Sequence, residues 1–247
     1  MERRMKAIVD ADSMVYRIAI KNEDNSDQEA IRGMADYMEG LIYDDLCYCD
    51  SHVGFLTKGQ CFRYNIAKTV PYKGNRKDYV KPKHHQLLFD YLVSAWGFTV
   101  CEEIEADDAV GIEQSRVGID DSLLVHIDKD LDQYEGQHYN FAKKLRYEVS
   151  AFDGLTNLFV QCLTGDKADN ILGLRGIGPV KARKALAGCK TQQEMFNKCV
   201  EMYLEHERKY PDCVNRVNEN LSLLYLMRDV DDFWKPMEIV DENEETT

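Results

Sequence analysis

Short apolar runs that each end on a carboxylate constrain this chain most. Lys6-Ala-Ile-Val-Asp10 is one, and Leu123-Leu-Val-His-Ile127 with Asp128 directly behind it is the clearest. Runs of this length, apolar without alternation, read as strands buried on both faces of a sheet. Gly54-Phe55-Leu56 and Val100-Cys101 are further strand candidates. Between them, Ser13 to Ile20, Ala30 to Leu46, His84 to Trp96 and Asp107 to Arg116 carry helical patterning. Strands that alternate with helices predict an α/β fold with a mainly parallel central sheet, and such sheets place their sites at the carboxyl ends of the strands.

From about Asp153 the pattern becomes helical, with Leu155 to Leu163, Pro179 to Leu186 and Gln192 to His206 as the expected helices. The organisation expected is an α/β core over 1–152, a helical subdomain over 153–240 and an acidic tail over 241–247, frayed for want of apolar residues. With 247 residues, one principal domain with an appended subdomain fits the usual size of a single core. The amino terminus has no apolar stretch suited to secretion or membrane insertion, so a soluble cytoplasmic protein without a membrane partner is expected. Eight scattered cysteines suggest ordinary thiols rather than a disulfide framework or a four-ligand zinc site.

A net charge of -13 argues against a polyanionic partner until the charge is located. Lys58, Arg63, Lys68, Lys73, Arg76, Lys77, Lys81 and Lys83 fall within one segment in which Asp78 is the only acid. Arg175, Lys181, Arg183, Lys184 and Lys190 make a second basic group around a glycine-rich turn. Two basic stripes on an acidic protein suit local binding of nucleic acid, and equally suit two solvated faces.

Four acidic groupings sit at element ends: Asp10, Glu105-Ala-Asp107-Asp108, Asp128-Lys-Asp130 and Asp166-Lys-Ala-Asp169. Hard cations such as Mg²⁺ and Mn²⁺ favour carboxylate oxygen, so loops that converge could hold an ion pair suited to phosphoryl displacement. Each grouping alone also reads as a helix cap or a solvated turn, with Asp166 at a helix start. His126, inside an apolar run, reads as a packed residue. Gly176-Ile177-Gly178-Pro179 predicts a tight turn leading into a helix, a helix-hairpin-helix type signature whose backbone N–H groups can hold a phosphate, and which also reads as a plain interhelical turn.

Taken together, Val9-Asp10-Ala-Asp-Ser-Met-Val-Tyr16-Arg17, Pro71-Tyr72-Lys73-Gly-Asn-Arg76, Glu105-Ala-Asp107-Asp108, Asp128-Lys-Asp130, Gly165-Asp166-Lys-Ala-Asp169-Asn170 and Gly176-Ile-Gly178 resemble the flap endonuclease / 5′-3′ exonuclease family. The resemblance is to the bacteriophage 5′ nucleases and the 5′ nuclease domain of bacterial DNA polymerase I. The chain ends without a polymerase region, so it resembles the free-standing phage proteins, for which the compartment would be the host cytoplasm. The resemblance implies a PIN-like, resolvase-like core with a helical arch around 71–90 and a helix-three-turn-helix.

It further implies metal-site carboxylates at Asp10, Glu105, Asp107, Asp108, Asp128, Asp130, Asp166 and Asp169, holding two Mg²⁺ or Mn²⁺ ions. Tyr72, Lys73 and Arg76 match the base of the arch and would engage substrate near the scissile phosphate. Tyr72 could stack on an unpaired base or close the core under the loop. Gly176, Ile177 and Gly178 would contact duplex phosphate, extended by Lys181 and Arg183, with a K⁺ ion at the turn.

The implied activity is structure-specific hydrolysis of DNA at a 5′ single-strand/duplex junction in replication, with RNA primers or RNA–DNA hybrids as further substrates. A monomer is expected, with a single-strand binding protein or polymerase as partner. One residue departs from the pattern: Thr57 stands where many relatives place another Asp, and Asp12 is a candidate substitute. A DNA-binding protein that has lost its chemistry on the same fold, and an RNA-directed nuclease, are the competing expectations.

Overall fold

The computed structural model describes residues 5–206 and 212–240. The acidic tail expected over 241–247 lies outside them. Along the chain come β1 (Lys6–Asp10), α1 (Asp12–Lys21), α2 (Asp27–Glu39), β2 (Ser51–Cys61), a one-turn α3 (Arg63–Ile66), α4 (His85–Trp96), β3 (Thr99–Glu103) and α5 (Ala106–Val117). Then follow β4 (Ser122–His126), β5 (Gly136–Asn140), β6 (Leu145–Val149), α6 (Ala151–Thr164), β7 (Gly165–Asp166), β8 (Ile171–Leu172), α7 (Pro179–Leu186), α8 (Gln192–His206) and α9 (Cys213–Leu224). The described residues form two compact units. One runs to Cys61 and adds Tyr79–Ala151 and Leu226–Asp232; the other holds Phe62–Asp78, Phe152–Tyr225 and the residues from Phe233 on.

The first unit is built on a six-stranded sheet of order β3-β2-β1-β4-β5-β6, parallel except for β6. Because β1 is paired on both edges and covered on both faces, every position of Ala-Ile-Val must be apolar. Alternation then sorts them: Ala7 and Val9, with Leu123 and Val125 of β4, face the layer of Met14, Ile18, Met34 and Leu88. Ile8 and Leu124 face Ala106, Val110 and Tyr134 on the opposite side. Helices therefore cover both faces, and the chain turns from β2 on one side of β1 to β4 on the other. In sheets of this kind, the carboxyl ends beside such a reversal are where ligands bind.

Three expectations change. The helix expected over Ala30 to Leu46 ends as an α-helix at Glu39 and continues as a π-helical turn, Gly40–Asp45, in which the Leu46 N–H reaches the Leu41 carbonyl. The change of register begins at Gly40, a weak helix former. The β5–β6 hairpin interrupts what read as featureless chain, because Gln137, His138 and Asn140 give it no apolar signature. Its turn is set by the Asn140 carboxamide oxygen, which accepts from the Ala142 and Lys143 N–H groups at 3.2 and 2.9 Å.

Asp166 does not start a helix; it ends β7 and opens a turn. A Cβ on Gly173 would lie 2.1 Å from the Thr164 carbonyl carbon, and Gly165 has φ +68°. The two glycines let the backbones close into a tight β7–β8 hairpin, leaving no room for a helix at that point.

The second unit packs helices around Phe159, Phe196, Tyr203, Val217 and Leu221, all fully buried or nearly so. α9 buries polar groups that bond across the unit, although Arg216 Nε and Asn220 Oδ1 find no hydrogen-bond partner among the described residues. Asn220 donates to the Leu172 carbonyl and the Tyr203 hydroxyl, both at 2.8 Å, and Arg216 donates to the Leu172 carbonyl at 2.9 Å. These polar groups lie beside an apolar stripe of Cys213, Val217, Leu221 and Leu224 on the same helix.

Candidate metal and phosphate site

In the first unit the acidic groupings lie at the carboxyl ends of β1, β3 and β4. Asp10, 5% exposed, closes β1. Its carboxylate accepts from the Asp12 N–H at 3.2 Å and the Ser13 hydroxyl at 3.4 Å. Burial pushes the Asp10 carboxyl well above the usual carboxylate range; the charges of Asp12 and Asp128 push it further, and the two hydrogen bonds only partly oppose them.

Thr57 shows what the departure at that position does. Its hydroxyl accepts from the Ala106 N–H at 2.8 Å, satisfying a donor in the first turn of α5. Its own N–H donates to Asp12 Oδ1 at 2.9 Å. A carboxylate is thus held beside Asp10 by the Thr57 backbone.

Glu105 caps α5 in a reciprocal box with Asp108. Asp108 is fully buried; Oδ2 accepts from the Glu105 N–H at 3.2 Å and Oδ1 from the Met227 N–H at 3.1 Å. Its two oxygens therefore tie the Leu226–Asp232 segment to the helix start. Asp107 is half-buried one position earlier. Asp128, exposed, caps the short 3-10 helix Lys129–Gln133 by accepting from the Asp130 N–H at 2.9 Å. Asp130 pairs with Lys129 at 2.8 Å.

Within the second unit, Asp166 and Asp169 gather the residues of the Tyr72 loop. Asp166 Oδ1 accepts from the Ala168 N–H at 2.6 Å and the Asp169 N–H at 3.3 Å, which shapes the turn. Asp169 is the hub. The Tyr72 hydroxyl donates to Oδ2 at 2.6 Å, Arg76 Nη2 to Oδ1 at 2.7 Å, and Lys73 Nζ lies 3.7 Å from Oδ1.

Tyr72 is 3% exposed, its ring edge-on to Tyr64 and 5.0 Å from the Lys73 ammonium, so burial supports the role of closing the core beneath the loop. Lys73 adopts a left-handed backbone, φ 51°, at the turn into a 3-10 helix, Gly74–Arg76. Asn75 and Arg76 also donate to the Lys167 and Ala168 carbonyls. The loop and the β7–β8 turn are therefore one hydrogen-bonded body.

Farther along, Gly176 takes φ +78° with open space around it, and Gly178 caps α7, with Pro179 in the first turn. Ile177 is half-buried, and Lys181 and Arg183 are exposed. Lys181 Nζ donates to the Gly176 carbonyl at 2.9 Å, and Arg183 to Asn157. A K⁺ ion at this turn would compete with that ammonium for the Gly176 carbonyl.

The first-unit carboxylates offer oxygen donors only, the chemistry Mg²⁺ and Mn²⁺ favour. A divalent cation would offset the Asp12 and Asp128 charges that add to burial in raising Asp10, and the donor set suits such an ion, although among the described residues no three of these carboxylates bring oxygens within 4.8 Å of one another. Among the described residues no helix is long and apolar enough to cross a membrane. One constellation hidden in the sequence is His126 with His138 and Asp132: its members come from different elements, and His126 alone reads as a packed residue.

No protein-family model matches the chain. Solved structures do. The chain is similar to bacteriophage T5 5′-exonuclease with bound divalent zinc ions, at 19% identity and TM-score 0.67, over 90% of this chain and 89% of that one. It is similar to the bacteriophage T5 flap endonuclease in a pseudo-enzyme–product complex with DNA and metal ions, at 17% identity and TM-score 0.64, over 90% and 89%. The catalytic core of Rad2 in complex with DNA substrate matches at 16% identity and TM-score 0.59, over 94% and 82%.

Proposed function

We propose that this chain, which has the fold of the flap endonuclease and 5′-3′ exonuclease structures, is itself a structure-specific 5′ nuclease that hydrolyses DNA phosphodiesters with divalent cations. The observation that carries the reading is Asp10: a buried carboxyl at the end of the central strand, pushed up by burial and by Asp12 and Asp128. Acids that repel one another at a buried position destabilise the fold unless a proton, a cation or a substrate offsets them, and a divalent cation would do so for Asp10, Asp12 and Asp128 together.

In the first unit Asp10, Glu105, Asp107, Asp128 and Asp130 would hold the ions, joined by Asp12 in compensation for Thr57. Asp108 would secure the α5 start on which Glu105 and Asp107 stand. In the second unit the resemblance assigns Asp166 and Asp169 the same oxygen-donor role. Bound Mg²⁺ or Mn²⁺ would supply activation of water and stabilisation of the leaving 3′ oxygen.

The protein's own groups do the rest. Lys73 and Arg76, oriented by Asp169, would neutralise and clamp phosphate oxygens, the guanidinium through its paired N–H donors. Tyr72 fixes Asp169, and through it the two cations. The open Gly176–Gly178 turn would offer backbone N–H groups to a duplex phosphate, with Lys181 and Arg183 adding charge but no base reading. Cleavage of RNA primers during replication belongs to the same proposal, while the mobility expected of Lys73 to Lys83 would be confined to the part beyond Arg76, since the β7–β8 turn holds Lys73–Arg76.

The experiment uses a labelled 5′ flap duplex, the corresponding single strand and a structured RNA, each with Mg²⁺ and with EDTA. Cutting near the flap junction with Mg²⁺, leaving 5′ phosphate, is expected. Tight flap binding without cutting under Mg²⁺ or Mn²⁺ would support the binding-only alternative, and preference for the RNA would support an RNA-directed enzyme.

A further inference from the structure

His126 and His138 face each other in the first unit with ring nitrogens 2.7 Å apart, His126 Nε2 against His138 Nδ1. The remaining nitrogens fix their tautomers. His126 Nδ1 lies 2.6 Å from the Asp128 carbonyl oxygen, and His138 Nε2 lies 3.0 Å from that of Tyr134. A carbonyl only accepts, so both of those nitrogens carry hydrogen. The two neutral rings then turn lone pair against lone pair in a place where they are 1% and 0% exposed. Such a contact is repulsive unless a cation lies between the nitrogens.

Asp132 completes the arrangement. Ligand atoms of His126, Asp132 and His138 all lie within 4.8 Å of one another. The Tyr147 hydroxyl donates to Asp132 Oδ1 at 2.7 Å and stands 3.5 Å from His126 Nε2. Imidazoles whose distal N–H is held by a backbone carbonyl, beside a carboxylate that is itself hydrogen-bonded, are the usual surroundings of metal-ligating histidines. Two nitrogens and one carboxylate suit Zn²⁺ or Co²⁺ rather than Mg²⁺.

We propose that His126 Nε2, His138 Nδ1 and the Asp132 carboxylate form a site for a divalent transition ion, Zn²⁺ first, separate from the all-oxygen carboxylate group. Nitrogen ligands about 2.05 Å from a tetrahedral ion stand about 3.3 Å apart, so the rings part by roughly half an ångström on binding. His126 ends β4 and Asp132 lies in the following 3-10 helix, so the ion clamps both ends of the loop that carries Asp128 and Asp130. The inference is independent of the nuclease reading: it concerns binding by three residues that reading does not use.

The full chain, stripped with EDTA and kept in excess Mg²⁺ to fill oxygen-only sites, is titrated with Co²⁺ and followed by visible absorption. One equivalent with tetrahedral d–d bands is expected, displaced by one equivalent of Zn²⁺, lost in His138→Gln and kept in Asp128→Asn with Asp130→Asn. The unaltered protein supplies a second readout through ¹⁵N NMR of its imidazoles. Zn²⁺ should move His126 Nε2 and His138 Nδ1 together while the opposite nitrogens stay protonated. Absorption that survives His138→Gln, bands from thiolate ligation, or imidazole resonances indifferent to Zn²⁺ would each overturn the proposal.

Discussion

Replacing Asp169 by Ala tests whether the Tyr72 loop and the β7–β8 turn are held together as described. The carboxylate receives the Tyr72 hydroxyl at 2.6 Å, a charge-assisted bond to a ring only 3% exposed. Bonds to charged groups contribute about 1.5–3 kcal/mol. The Arg76 pair is short, but that side chain is 45% exposed, so screening limits it to about 0.5 kcal/mol. Lys73, at 3.7 Å, adds about as much.

Asp169→Ala should therefore cost about 2.5–4 kcal/mol, most of it through Tyr72. Urea unfolding with an unchanged dependence on denaturant would measure this. Because one bond dominates, Tyr72→Phe and Asp169→Ala should be non-additive, with a coupling of about 1.5–3 kcal/mol in a double-mutant cycle. A loss below about 0.5 kcal/mol, or additive single variants, would refute Asp169 as the hub.

Three further outcomes are expected. Gly111→Ala would place a Cβ 2.1 Å from the Tyr134 ring, whose hydroxyl is fixed on the Met227 and Asp107 carbonyls. The variant should lose about 1–3 kcal/mol in urea unfolding, although alanine favours helix. His85 is buried, edge-on to Tyr16, and held to about 4 by burial and by Lys81. Its folded value lies below the unfolded one, so the stability it gives is complete above about pH 6.5 and falls as pH drops toward 4. Parent protein should therefore lose about 1–2 kcal/mol more than His85→Leu between pH 7.5 and pH 5, measured by urea unfolding at each pH.

The sign is opposite for Asp10. Its carboxyl is raised, so in EDTA its contribution is present below the unfolded carboxylate value and is lost as pH rises through the folded one. Asp10→Asn should accordingly be more stable than the parent at neutral pH in EDTA, and added Mg²⁺ should raise the melting temperature of the parent but not of the variant. Equal Mg²⁺ stabilisation of both would count against Asp10 as a ligand.

Where periodicity and burial agreed, the sequence was readable. β1 and β4 are continuous apolar runs because they are buried on two faces, and α7 and α8 begin and end where patterning placed them. Legibility failed where polar side chains do structural work. α9 buries Arg216, Asn218 and Asn220, and β5 buries His138 between polar neighbours. Asp166 supplied the same side-chain-to-backbone bonds a helix cap would, yet the closeness of Gly165 to Gly173 turned that chemistry into a hairpin. The acids at strand ends were visible as a set. Their partners were not, because Tyr72 meets Asp169 across 97 positions and Asp12 meets Thr57 across 45.

The most direct test of the central claim is to compare parent protein with Asp128→Asn/Asp130→Asn on one 5′-labelled flap duplex, measuring binding in EDTA and cleavage after Mg²⁺ is added. Near-equal binding, with junction cleavage only by the parent, is the predicted result. Equal cleavage by both proteins, or cleavage by the parent that persists in EDTA, would contradict the assignment of chemistry to the strand-end carboxylates.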